Sequence, residues 1–181
     1  EIKKMATEFP ETLRRIIGSV RDLSYDLRPP SLDQFGLVET ISQYCRDYSE
    51  KSGLSVDFVS AGMDNLRLDF DAEINLYRLV QEGLNNIMKH ADAKNVTIRL
   101  LASFPNIILR IEDDGKGFDV EERLAAAQTE RRMGLRSMQE RANLLQGKMR
   151  VRSQPGRGTK VFVEVPCREG RNGSKEDHTA R

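Results

Sequence analysis

The stretch Leu79–Ala91, LVQEGLNNIMKHA, organises the rest of this 181-residue chain. Its apolar positions Val80, Leu84, Ile87 and Ala91 recur at spacings of four, three and four. That is the period of an amphipathic helix with one buried stripe. Glu82, Asn86, Lys89 and His90 crowd an adjacent face, the last three standing four, seven and eight positions beyond the first. A carboxylate, an amide oxygen, an ammonium and an imidazole suit a hydrated Mg²⁺ with its phosphates. Mg²⁺ takes oxygen ligands and keeps several waters, and lysine gives phosphate a point charge. A solvated face of ordinary helix formers has the same pattern, so the helix alone leaves both readings open.

Working outward, Asp69 or Asp71 is placed to cap this helix, which should run to His90 or Ala91. Upstream, Leu54–Ser60 alternates as a strand and Gly62–Asn65 is a turn. Before it, residues 35–52 show a helical stripe of Leu37, Ile41, Tyr44 and Tyr48, with Ser31 or Asp33 as cap and Ser52-Gly53 as stop. Arg28-Pro29-Pro30 ends an earlier helix, because a residue before proline is pushed out of the α region. That helix, firm over about 10–27 with Thr7 as a possible N-cap, has an a/d-like stripe from Ile2 to Leu27, interrupted by Pro10. A bundle or dimer helix and a core helix both fit it.

Downstream, Val96–Leu101 and Ile107–Ile111 are two strands joined by a turn at Ser103–Asn106. The second strand ends in Asp113-Asp114-Gly115-Lys116-Gly117-Phe118. Residues 119–132 are polar and alanine-rich without a sustained period, so they are expected to form a mobile loop or weak helix. Gly134–Gln146 is helical with Leu135, Met138, Ala142 and Leu145 in register, and Gly147 stops it. Lys148–Arg152 and Thr159–Val165 form a last hairpin around Gln154–Gly158. Residues 167–181 are charged and nearly free of apolar side chains, which predicts disorder.

Composition bounds the function. Hydrophobic residues are 38% and charged residues 31%, enough for a core under a heavily charged surface. A net charge of +1 argues against a nucleic-acid binder, which needs a broad basic field. Cys45 and Cys167 are far apart and in no CxxC spacing, so neither a disulfide framework nor a zinc site is indicated, and a reducing compartment fits. No apolar run reaches membrane-spanning length. The chain opens on Glu1 and reads as a fragment whose missing part could carry an anchor or a sensor.

The glycines narrow the chemistry. Asp113-Asp114-Gly115-Lys116-Gly117 sits at a strand end, where ligand loops concentrate. Glycines two apart let backbone approach a ligand closely, and an aspartate there can accept from an exocyclic amine such as adenine's. The remaining ligands of a calcium loop are absent, and no GK[ST] follows as in a Walker A loop. A plain turn is the other reading. Gly134-Leu135 opens a helix after Arg131 and Arg132, and an exposed helix N-terminus is an anion site.

QEGLNNIMKHA, DDGKGF, MGLRSMQERA and GRGTKVFVEVP, in that order, resemble the N, G1, G2 and G3 boxes of the GHKL ATPases. The finer resemblance is to sensor histidine kinases of the nitrate-sensor and DesK-like branch, carried by DLRPPSLDQFGLVETI at 26–41 and by MGLRSMQERA. It covers roughly residues 10–166. It implies an α/β fold: a two-layer ATP-binding sandwich whose mixed or antiparallel sheet carries three helices on one face. The division is then 1–30 dimerisation-helix remnant, 31–52 connecting helix, 53–166 catalytic domain and 167–181 tail.

By resemblance, Asn86 ligates Mg²⁺ and Glu82 holds the metal's water or acts as a base. Lys89 and His90 lie near phosphates and ribose. Asp113 reads adenine, supported by Gly115, Gly117 and Thr159, and Gly134 and Leu135 close the lid's end on the phosphates. The resemblance further implies ATP and Mg²⁺, a LuxR-type response regulator as phosphoryl acceptor, a homodimer through the N-terminal helix, and a cytoplasmic location without direct membrane contact. A GHKL ATPase, an anti-sigma-type serine kinase, or a nucleotide-binding dimerisation module without catalysis are the alternatives. Three departures stand out. Arg132-Met133-Gly134-Leu135 replaces the GxGL of many relatives, no F box is evident, and no phosphoacceptor helix is present. The only histidines are His90 and His178, so the fragment is expected to bind ATP without phosphorylating itself.

Overall fold

The computed structural model describes residues 29–64, 66–120 and 134–167. The expected helix over about 10–27, nearly all of the expected loop at 119–132, and the tail beyond Cys167 lie outside the described residues. The chain divides into two compact units, Glu1–Gln34 and Phe35–Arg181, and only Pro29–Gln34 of the first are described.

Helix α1, Pro30–Ser52, starts on a proline, whose missing N–H is no loss in a helix's first turn. The sequence placed its start near residue 35; the structure begins it at Pro30 and breaks it at Gly36, with φ 75° and ψ 178°. That backbone conformation is open to glycine and closed to residues with a Cβ. Beyond the break, Leu37, Ile41 and Cys45 form the buried stripe. Tyr44 and Tyr48 face helix α2, Phe70–His90. The Tyr44 ring lies 5.6 Å from that of Tyr77, and Tyr48 donates to the Leu84 carbonyl at 3.1 Å.

The second unit is built on one mixed sheet. Strands β1 (Ser55–Ala61), β2 (Asn95–Ser103), β3 (Asn106–Asp113), β4 (Lys148–Ser153) and β5 (Thr159–Pro166) lie in the order β1-β2-β3-β5-β4. Among the described strands only the β1–β2 pair is parallel. Helix α2 follows β1 and supplies the crossover that a parallel pair requires. Alternation then sorts the faces. Val96, Ile98 and Leu100, Ile107, Leu109 and Ile111, and Val161, Val163 and Val165 are all buried on the side covered by α2 and by helix α3, Gly134–Leu144. The opposite face carries Arg99, Arg110, Glu112, Lys160 and Glu164 together with Leu101, Ile108 and Phe162, and is more polar.

Helix α2 anchors this layer. Asp69, not Asp71, is its cap, accepting from the Ala72 N–H at 2.7 Å. Leu76, Leu79, Val80 and Leu84 are fully buried, each worth about 1.5–3 kcal/mol against exposure. Gly83 lets the helix settle on the sheet, because a Cβ there would come within 2.5 Å of Ile111 Cδ1. At the end of α3 the left-handed residue is Gln146, φ 55°, while the Gly147 N–H closes on the Ala142 carbonyl at 2.8 Å. Gly147, expected to be the stop, is required instead by contact: a Cβ there would sit 2.5 Å from the Glu164 carbonyl.

Candidate functional site

The polar face of α2 meets the start of α3. Glu82 and Asn86 are half-buried, and Lys89 and His90 are exposed on the last turn. Asn86 Nδ2 donates to Met138 Sδ at 3.7 Å, which turns Oδ1 toward Gly134. A Cβ on Gly134 would collide with Asn86 Oδ1 and lie 2.8 Å from Glu82 Oε1. Glycine there lets an 11-residue helix present its N-terminus beside two hard oxygens. The first N–H groups of a helix lack partners within it and attract anions. Leu135 follows, half-buried. Lys89 and His90 also complement the negative C-terminal end of α2, a stabilising placement whatever else they contact.

The second half of the site lies where β3 ends. Asp113 is half-buried, accepts from the Gly115 N–H at 2.9 Å and is bonded by the backbone and hydroxyl of Thr159. Burial pushes its carboxyl above the usual aspartate range; the Gly115 and Thr159 donors hold it back in part, and neighbouring Asp114 adds to the rise. The loop after it is stitched by backbone. The Lys116 N–H donates to the Ala91 carbonyl at 2.7 Å, and the Gly156 N–H to the Lys116 carbonyl at 2.6 Å. Side chains would block this: a Cβ on Gly115 would strike the Ala91 carbonyl, and one on Gly117, at φ 59°, the Gln154 carbonyl. Gly115 and Gly117 thus work by letting three chain segments touch.

Two residues that sequence reasoning passed over complete the frame. Asp114 accepts from the Lys94 N–H at 2.8 Å, the Asn95 N–H at 2.9 Å and Asn95 Nδ2 at 2.7 Å. The Asn95 backbone and side chain, then the Lys94 backbone, pull its carboxyl down to about 2. The signal was present in the quoted DDG, where a second aspartate beside a glycine reads as a turn former. Ser153 bonds the Phe118 N–H, the Gly158 carbonyl and Thr159. No local spacing marks it, since its partners come from other strands and loops.

Among the described residues no group of three or more His, Cys, Asp or Glu side chains is placed to hold a metal. A Mg²⁺ that keeps its waters needs only one or two protein ligands. The Glu82 carboxylate and Asn86 amide oxygen, side by side at Gly134, fit that requirement. No described helix is long and apolar enough to cross a membrane.

Residues 71–169 match the profile of the histidine kinase-, DNA gyrase B- and HSP90-like ATPase family. The chain is 35% identical over 166 residues to the signal transduction histidine-protein kinase/phosphatase DegS of Brevibacillus brevis, covering 92% of this chain and 42% of that protein. It is 32% identical over 165 residues to the sensor histidine kinase ComP of Bacillus subtilis (strain 168), covering 91% of this chain and 21% of that protein. The chain therefore spans less than half the length of these relatives. In fold it is similar to the histidine kinase domain of the Erythrobacter litoralis EL346 blue-light activated histidine kinase, with a TM-score of 0.60 at 19% identity over 72% of this chain and 61% of that one. Acinetobacter baumannii histidine kinase AdeS gives 0.58 at 16% identity, over 91% of this chain and 83% of that one.

Proposed function

This chain belongs to the family of histidine kinase-, DNA gyrase B- and HSP90-like ATPases, and from that premise we propose that it serves as the ATP-binding catalytic region of a two-component sensor histidine kinase. The observation that carries the proposal is the meeting of Glu82 and Asn86 with Gly134 on the same helix whose end, at Ala91, touches the Asp113 loop. A charge-binding end and a base-binding end then lie along one element, as a nucleoside triphosphate requires.

In this reading Asp113 accepts from the adenine amino group, with Thr159 and Gly115 fixing its carboxylate. Glu82 and Asn86 hold Mg²⁺, which supplies charge neutralisation at the phosphates. The N-terminus of α3 at Gly134 and Leu135 offers N–H groups to phosphate oxygens, and Lys89 and His90 face phosphates and ribose. Phosphoryl transfer needs little beyond such positioning and neutralisation. A histidine nitrogen on a dimerisation helix attacks the γ-phosphorus, an N–P bond forms, the bond to the bridging oxygen breaks, and ADP leaves. A response regulator of LuxR type takes the phosphoryl next. A homodimer through the N-terminal helix and a cytoplasmic location belong to the same reading.

The test is to titrate the protein with Mg²⁺-ATP and Mg²⁺-GTP, then incubate it with labelled Mg²⁺-ATP. ATP is expected to bind more tightly than GTP. Acid-labile, base-stable label should appear only when a polypeptide bearing the phosphoacceptor helix is added. Labelling of His90 or His178 without that helix overturns the assignment of the acceptor. ATP turnover without phosphoprotein points to an ATPase, and no binding at millimolar nucleotide to a non-catalytic module.

A further inference from the structure

Strand register sets three polar side chains abreast at one end of the sheet. Asp113 on β3 stands opposite Thr159 on β5, and Thr159 opposite Ser153 on β4. They occupy the helix-covered face, one step beyond the apolar row Ile111, Val161 and Val151. Ser153 Oγ accepts from the Phe118 N–H at 2.9 Å, donates to the Gly158 carbonyl at 2.8 Å and lies 3.1 Å from Thr159 Oγ1. Gly158 in turn rests on the Asp113 backbone, where a Cβ would strike the Asp113 carbonyl.

We propose that Ser153 is a positioning residue for base recognition, acting on Asp113 through the Gly158 carbonyl that it holds and on the pocket loop through the Phe118 N–H. This rests on the reading of Asp113 as the adenine acceptor. Proton bookkeeping supplies the mechanism. Ser153 has one hydroxyl proton and gives it to the Gly158 carbonyl. That bond holds Gly158 where it rests on the Asp113 backbone. The contact with Thr159 at 3.1 Å then draws on the Thr159 proton. A Ser153 lone pair takes the Phe118 N–H and ties the end of the glycine loop to β4. Alanine at 153 removes the donor to Gly158 and that acceptor together.

The test measures ATP and GTP affinity by calorimetry for the unaltered chain, Ser153→Ala, Ser153→Thr, Asp113→Ala and the double variant Ser153→Ala/Asp113→Ala, with thermal unfolding of each. Ser153→Ala should weaken ATP about two- to tenfold, the value of one ordinary hydrogen bond, and GTP less. Ser153→Thr, which keeps the hydroxyl, should restore ATP affinity. In the Asp113→Ala background the serine substitution should change ATP affinity no further, although its effect on the unfolding temperature persists. Unchanged ATP affinity in Ser153→Ala overturns the proposal. So does an equal loss for ATP and GTP, an undiminished effect in the Asp113→Ala background, or failure of threonine to restore binding in a protein that unfolds normally. An unaltered chain that prefers ATP and depends on Asp113 but not on Ser153 sinks this proposal alone. A chain with no ATP preference and no dependence on Asp113 sinks the base-recognition reading as well.

Discussion

Asp113 and Asn86 anchor the two halves of the proposed site, and they are held in different ways. Asp113 takes donors from its own loop and from a neighbouring strand, and its loop is braced by Lys116, Gly156 and the Asp114 contacts to Lys94 and Asn95. Among the described residues Asn86 has one long hydrogen bond, to Met138 Sδ at 3.7 Å, and its neighbours Lys89 and His90 are exposed. The base half is therefore organised by backbone before any ligand arrives. The proposed charge half sets side chains of α2 beside the start of α3, and an ion and phosphates would order those side chains. Ordering long side chains costs up to about 2 kcal/mol each, so charge density has to supply at that end what geometry supplies at the other.

The comparison breaks first at Asn86. Asn86→Ala should lower phosphoryl transfer to an added phosphoacceptor helix by about a hundredfold or more, the scale of losing one charge-stabilising group. The unfolding temperature should hardly move, since among the described residues the side chain makes one weak hydrogen bond. Full activity in Asn86→Ala would remove the metal assignment, and a large drop in unfolding temperature would show this half to be as structural as the other.

Titration sharpens the contrast at the base half. Only the ionised Asp113 is a pure acceptor, and burial raises its pKa. As pH falls, ATP affinity should therefore decline from a higher pH than an ordinary aspartate would give, by up to about tenfold per unit below the folded pKa. Asp113→Asn should abolish that pH dependence. A profile that stays flat down to the usual aspartate range, near about 4, contradicts a buried acceptor.

The smallest effect concerns the brace. Asp114 titrates at about 2 in the folded chain, below the value near about 3.9 of an unfolded aspartate. A depressed pKa contributes stability above the unfolded value and loses it as pH falls through the folded one. Asp114→Asn should thus unfold at a slightly lower temperature than the unaltered chain at pH 7. The two should converge as pH drops from about 4 toward about 2. Asp114 is fully exposed, so salt and solvent reduce the gap. A constant gap down to pH 2 would mean that the carboxylate charge is not what braces the loop.

The residues that local pattern could find were those whose partners lie within one element or one motif. The four- and three-residue spacing in Leu79–Ala91 fixed both faces of α2, because helical neighbours are sequence neighbours at set distances. Strand alternation likewise marked Leu54–Ser60, where Val56 and Phe58 are among the less exposed positions of β1. The order of the four boxes then named the members of the proposed site, Glu82, Asn86, Asp113, Gly134 and Thr159 among them. Whether Asp69 or Asp71 capped α2 stayed open, since both stand within reach of its first turn and only the folded chain shows which oxygen meets the Ala72 N–H.

Tertiary structure decided the relations between those members. That Gly134 faces Asn86 and Glu82 across 48 positions or more follows from α3 packing on α2 through Met138. That Ser153 stands in line with Thr159 and Asp113 follows from strand register, which is set by the whole apolar pattern of β3, β4 and β5 together. Gly115 and Gly117 looked in the sequence like ligand-loop glycines and Gly158 like part of a hairpin turn; folded, each is needed where one backbone rests on another. A one-dimensional pattern records which groups a segment offers. Which of them meet is fixed only when distant segments are brought together by burying a shared apolar face.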